Sequence, residues 1–246
     1  MVMMGALCLG IRTDAVPPAS SGLSARMKLL PDRSLWAWKR PEYLHAINPQ
    51  TTAIAYLDQT ILLGRDVRSQ WRRQSLTYPS TAKLIAVVRV EAAPDAELRT
   101  VQEQQVVGFL LKSAERPGIA ALQVDFDATR SQRAFYTDLL TDLRRQMPVN
   151  LPLSITALAS WCSNDDWIAG LPIDEAVPML FRMEPDRRHA AFDLVQFRIR
   201  EPKCMGSVGI STHEAWPEDM AGKRIYVFAD RGWHEDLPLI AARKLP

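Results

Sequence analysis

The sequence predicts an α/β fold: a compact (β/α)8 TIM-type barrel with several reduced outer helices. Three observations carry this. Eight apolar, β-branched runs recur along the chain and read as strands buried on both faces, as in a parallel sheet. Helical periodicity separates some of them. No glycine-rich fingerprint follows any run, which removes the support for an open nucleotide-binding sheet.

The strand candidates are 35–38 (LWAW), 52–63, 83–91 (KLIAVVRVE), 119–127 (IAALQVDFD), 151–161, 175–183, 205–212 and 224–230 (RIYVFAD). Between the third and fourth, Leu98, Val101, Val106, Phe109 and Leu110 approach a 3.6-residue spacing over 95–116, and Pro117-Gly118 ends it. A second helix spans 131–146, with Ser131 as N-cap and Pro148 beyond its end. A weaker one is read at 187–199. The remaining connections are too short for full helices, so the barrel lies near the lower limit of about 200 residues for this fold.

The chain has 246 residues, 30 basic and 28 acidic, for a net charge of +2. That balance argues against nucleic acid as partner. No apolar stretch is long enough to span a membrane. Residues 1–30 are read as a signal-like or disordered segment, because VMMGALCLGI precedes a Pro/Ser-rich stretch. Residues 31–246 then form one barrel domain, expected as a monomer in an exported, periplasmic or envelope-associated location. Cys162 and Cys204 could pair in an oxidising compartment; two buried free thiols are the favoured reading.

Parallel strands share one C-terminal face, where barrels carry their sites. Period two puts Arg89 and Glu91 on one face of the third run, and Gln123, Asp125 and Asp127 on one face of the fourth. Asp125, Asp127 and Glu91 are the candidate catalytic acids, since paired carboxylates serve general acid/base work. Arg89 and Arg182 would hold these acids or bind anionic groups. Glu214 and Asp230 end later strands. Trp38, Trp161 and Trp233 supply flat faces for sugar rings, with Trp36 and Trp167 nearby. His213 is the histidine placed nearest the mouth. No cofactor and no metal are expected, although an oxygen-preferring cation on Asp125 and Asp127 stays open as an alternative.

The stretch VDFDATRSQRAFYTDLLTDLRRQMPVNLPLSITALASWC, preceded by LWAWKRPEYL and followed by DEAVPMLFRM, resembles the bacterial domain-of-unknown-function family 3142 over residues 35–183. The resemblance implies an exported or lipoprotein-type barrel without assigned activity. More distantly, Gln123 to Thr129 resembles the chitinase-like family-18 glycoside hydrolases, whose fourth strand ends in DxxDxDxE. Asp125 and Asp127 match the two central acids. In that frame Thr129 stands where the proton-donating Glu belongs and Leu122 where the leading Asp belongs, so the activity does not carry over directly. Two functions remain: an exported carbohydrate-active enzyme acting on a glycan, or a non-catalytic glycan- or envelope-binding barrel without the acid. Two carboxylates flanking an open cleft would favour the first, and carboxylates fully neutralised by Arg89 and Arg182 the second.

Overall fold

The computed structural model describes residues 24–163, 165–181, 198–218 and 220–242. Eight parallel strands form the barrel: β1 Arg33–Ala37, β2 Thr52–Leu63, β3 Leu84–Ala92, β4 Ile119–Asp125, β5 Leu153–Leu158, β6 Glu175–Met179, β7 Ser207–Ser211 and β8 Arg224–Phe228. Pairing runs β2 to β8 in chain order, and β1 closes the circle by pairing with both β2 and β8. The (β/α)8-type barrel expected from the sequence is therefore present. β2 is long, at 12 residues. Its upper part passes the end of β1 and pairs antiparallel with a hairpin strand, Val67–Trp71.

The outer helices are thin. α1, Thr100–Ala114, and α2, Arg133–Gln146, are the substantial ones on the β3–β4 and β4–β5 connections. Their apolar stripes (Val106, Val107 and Leu110; Tyr136, Leu139, Leu140 and Leu143) pack on the outward faces of the strands. α1 begins later than its periodicity suggested, because Leu98 takes a left-handed φ of 52° just before it. Ser131 is not the N-cap of α2. A 3-10 turn, Arg130–Gln132, leads into the helix, and the Thr129 N–H donates to Gln132 Oε1 at 2.9 Å. α3, Ala159–Ser163, α4, Pro202–Met205, and α5, Trp233–Ala242, complete the described helices. The weak helix read at 187–199 falls mostly outside the described residues.

Small inward residues make the barrel interior possible. Ala53, Ala55 and Ala121 leave room for Trp36 and Tyr226, whose rings lie 5.2 Å apart. Trp36 reaches across to β7, where a Cβ on Gly209 would stand 3.0 Å from the indole Cη2. Glycine is required there by close approach.

Residues 24–30, placed in the leader by their position after the Pro/Ser stretch, pack instead against the N-terminal end of the barrel. Met27 is fully buried, and Arg224 Nη2 donates to the Met27 and Leu30 carbonyls at 2.6 and 3.1 Å. Arg26 pairs with Asp174 at 2.5 Å. Residues 1–23 lie outside the described residues. Above this plug sits a buried polar chain. Trp36 Nε1 donates to Gln123 Oε1 (2.8 Å), and Gln123 Nε2 donates to Ser154 Oγ (3.1 Å). Ser154 Oγ and Tyr226 OH both donate to Glu175 Oε2, at 2.8 and 2.7 Å. Arg224 Nη1 stands 3.6 Å from the other Glu175 oxygen.

Cys162 and Cys204 are joined in a disulfide, with Cα atoms 5.9 Å apart. This corrects the reading of two free thiols. The bond ties α3 to α4, two elements that the sequence pattern left undefined.

Candidate functional site at the C-terminal mouth

β3 and β4 bring the predicted acids together because their registers align Arg89 with Asp125. Arg89 is the hub. Its Nη1 donates to Asp125 Oδ2 at 2.7 Å, its Nε to Glu91 Oε1 at 3.1 Å, and its Nη2 to Asp127 Oδ2 at 3.3 Å. Thr156 Oγ1, from β5, donates to the other Asp125 oxygen at 2.7 Å. Lys39, beyond β1, reaches Glu91 at 3.3 Å. Three carboxylates are thus gathered around one planar guanidinium at the ends of β3 and β4.

Their environments differ sharply. The Asp125 side chain is 2% exposed, Glu91 39% and Asp127 41%. Burial pushes the Asp127 carboxyl up, the Asp125 charge adds to this, and Arg89 pulls back; the balance stays above the ordinary Asp value. Burial works against the charge on Arg89, but Asp125, Asp127 and Glu91 outweigh it and hold the guanidinium firmly protonated.

Aromatic rings line the barrel interior. Phe181 stacks on Phe228 at 5.5 Å, and Trp38 meets Phe228 edge-on at 6.2 Å. Trp36 lies 5.9 Å from Phe181 and carries the hydrogen bond to Gln123 described above. Trp38 is thus with the site group, but two other predicted tryptophans are not. Trp161 is 3% exposed and packs edge-on against Trp167 at 4.9 Å in the outer layer. Trp233 is fully buried at the start of α5, where its Nε1 donates to the Trp36 carbonyl. Both follow strand ends in the chain, yet both point to the helix side. Sequence reasoning missed Phe228, Phe181 and Thr156. Period two from Tyr226 pointed to Phe228, and the β4–β5 pairing of Gln123 with Ser154 pointed to Thr156.

Asp230 follows β8, four strands around from β4, and accepts from Ser211 Oγ at 2.7 Å. His213 is turned to Asp236, with Nε2 at 3.0 Å from Oδ1. Glu214 is half-buried in the loop after β7. Arg182 lies outside the described residues. Among the described residues no three His, Cys, Asp or Glu side chains converge as a metal-ligand set, and Arg89 occupies the place between Asp125 and Asp127. No described helix is long and apolar enough to cross a membrane.

Residues 80–196 match the model of a family described as a domain of unknown function (DUF3142). Among solved structures, the chain is similar to the chitinase domain of the spore coat protein CotE from Clostridium difficile. The identity is 13% and the TM-score 0.49, covering 82% of this chain and 68% of that one. It is also similar to the Bacillus cereus spore cortex-lytic enzyme SleL, at 16% identity and a TM-score of 0.47, covering 73% of this chain and 51% of that one. No curated protein matches.

Proposed function

We propose that this chain is an exported carbohydrate-active protein, a glycoside-hydrolase-like barrel that cleaves a 2-acetamido glycan with Asp127 as general acid. One observation carries the reading. Asp127 is, with Glu91, an open member of the acid cluster, its carboxyl is held up in pKa, and a buried, anchored acid stands beside it.

The placement of Thr129 supports a shifted frame for the chitinase-like resemblance. Thr129 is taken into the turn that leads α2, so the last inward position of the alternation is Asp127. Gln123, Asp125 and Asp127 then occupy the three alternating places that end the motif. The proton donor is a shorter acid rather than a missing one.

Asp125 is buried and both its oxygens are held by Arg89 and Thr156, which disfavours a mechanism in which it flanks the bond as the second acid. A substrate-assisted route fits better. Asp127 gives its proton to the glycosidic oxygen while the substrate's acetamido oxygen attacks the anomeric carbon and the bond to the leaving sugar breaks. Water then opens the cyclic intermediate and returns a proton to Asp127. The aromatic rings of the barrel interior suit the apolar face of a sugar. Export is supported by the disulfide, which persists in oxidising compartments, and by the apolar leader.

The test is release of new reducing ends from 2-acetamido oligosaccharides, by wild type and by Asp127→Asn. Turnover should fall as pH rises through the Asp127 pKa, because the acid form is required, and Asp127→Asn should be inactive. Binding without turnover by the wild type would favour the non-catalytic glycan-binding reading. Absence of both would end the proposal.

A further inference from the structure

The acid wall does not stop at the barrel rim. Arg89 pairs in register with Thr60 of β2, and Glu91 with Leu62. Thr60 and Leu62 in turn face Gln70 and Arg68 of the hairpin strand. Register partners share a face, so one polar row runs from Asp125 through Arg89 and Thr60 to Gln70, with Asp125 and Thr60 buried, and it forms the floor of the shelf. A second row runs from Glu91 through Leu62 to Arg68. The alternate residues confirm the facing: Gln59 donates to Phe109 O and Ser113 Oγ of α1, Ser69 donates to Gln59, and Trp71 lies under Arg116. Arg72, of the same parity as Gln70, donates to the Trp38 and Arg40 carbonyls and fixes the shelf to the end of β1. Three strand spacings of roughly 4.8 Å make the shelf about 14 Å long, enough for more than one sugar ring.

Its two ends differ in charge. At β3 and β4, three carboxylates face Arg89 and Lys39. At the hairpin, the Arg68 side chain is 76% exposed, with Asp66 at 3.5 Å and 70% exposed. So exposed a pair is held weakly and can yield to a ligand carboxylate that takes the guanidinium in a fork. A ligand carboxylate meets acids already paired with Arg89 and Lys39 at one end, and an exposed guanidinium at the hairpin end.

We propose that this shelf is an extended glycan subsite, with Arg68 selecting a polymer that bears a carboxylate on a ring next to the neutral 2-acetamido sugar at Asp127. The proposal rests on the glycan reading above, and its test separates the two. Calorimetric titration uses two S-linked, non-cleavable 2-acetamido oligosaccharides, one carboxylated on alternate rings and one neutral. Wild type should bind the carboxylated probe about five-fold more tightly at low salt. In Arg68→Gln that preference should vanish while the neutral probe binds as before, and Arg68→Lys should keep part of it. An undiminished preference in Arg68→Gln, or no preference in wild type that still binds the neutral probe, overturns the shelf alone. Failure of both probes to bind wild type overturns the shelf and the glycan reading together.

Discussion

Asp125 ends β4 and Asp127 follows two residues on, both held by Arg89, yet their substitutions should separate stability from activity. Asp125→Ala removes two hydrogen bonds of 2.7 Å, from Arg89 Nη1 and Thr156 Oγ1, at a side chain 2% exposed. Arg89 keeps Glu91 and Asp127, so the charge is not stranded. Losing the charged bond and leaving the Thr156 hydroxyl without its acceptor costs about 3 kcal/mol. At roughly 2–4 °C per kcal/mol for a chain of this size, the melting temperature should drop about 6–12 °C. Asp127→Asn removes one contact of 3.3 Å at a side chain 41% exposed. Solvent screens such a pair, so the change should stay within about 1 kcal/mol. Its direction follows from linkage. The folded-state pKa of Asp127 is raised, so its contribution is fully present below the unfolded pKa and fades as pH rises through the folded one. Asn cannot ionise, so the variant should gain on wild type as pH rises from the ordinary Asp range through the raised folded-state pKa. Thermal melts of both variants at several pH values, beside the glycan assay, check this. A chain unfolded by Asp127→Asn, with Asp125→Ala melting like wild type, would refute the assignment of anchor and acid.

Three further outcomes are expected. Reducing the Cys162–Cys204 bond, which spans a sequence separation of 42, removes a constraint worth about 4 kcal/mol in the chain-entropy account; reductant should lower the melting temperature by roughly 10 °C, and an unchanged melt would contradict it. Gly209→Ala places a Cβ 3.0 Å from Trp36 and 3.4 Å from Phe181, so it should cost about 1–3 kcal/mol and alter the near-ultraviolet dichroism. Gly108→Ala, exposed in α1 with nothing within 4 Å, should instead stabilise by about 0.5–1 kcal/mol, and equal melts for the two variants would refute the close approach. Arg224→Met strands the fully buried Glu175 and should cost about 3–5 kcal/mol; adding Glu175→Leu should recover part of that loss in denaturant titrations, and a double variant no better than the single would oppose the pairing.

The eight strands were legible because each is buried on both faces and so reads as an unbroken apolar run. The acid cluster was legible for a related reason: Arg89, Glu91, Asp125 and Asp127 interrupt those runs with period two, and alternation alone puts each pair on one face. What failed was position beyond the strand ends. Trp38 directly follows β1, whereas Trp161 and Trp233 come further past their strands, where α3 and α5 have begun and turn both rings outward. The direction of a residue just past a strand is set by the next element, which local pattern does not encode. Ser24 to Leu30 was lost similarly. Its packing depends on Arg224, almost 200 residues away, donating to its carbonyls. The cysteine pairing needed α4 to be placed, and four residues give too little periodicity to place it.

A raised carboxyl pKa would not by itself have picked out the site. Among the described residues Glu42, Glu103, Asp127 and Glu175 are all pushed above their ordinary values, each with burial as the leading cause. Three of them are spoken for. Glu42 accepts from the Trp233 N–H at 2.9 Å beneath Arg40, Glu103 is buried on α1 near the acids of α2, and Glu175 is enclosed by Tyr226, Ser154 and Arg224. None of these three can meet a ligand without the fold opening. Asp127 alone combines the raised carboxyl with an open face, and it must share its one cation with two other acids. Burial raises the Asp127 carboxyl first, and sharing keeps the cation from undoing that: a guanidinium devoted to Asp127 would pull the carboxyl down, whereas Arg89 spends its closest contact on Asp125 at 2.7 Å and approaches Asp127 only to 3.3 Å. The buried acid therefore acts twice on its neighbour, by drawing off the cation and by adding its own negative charge.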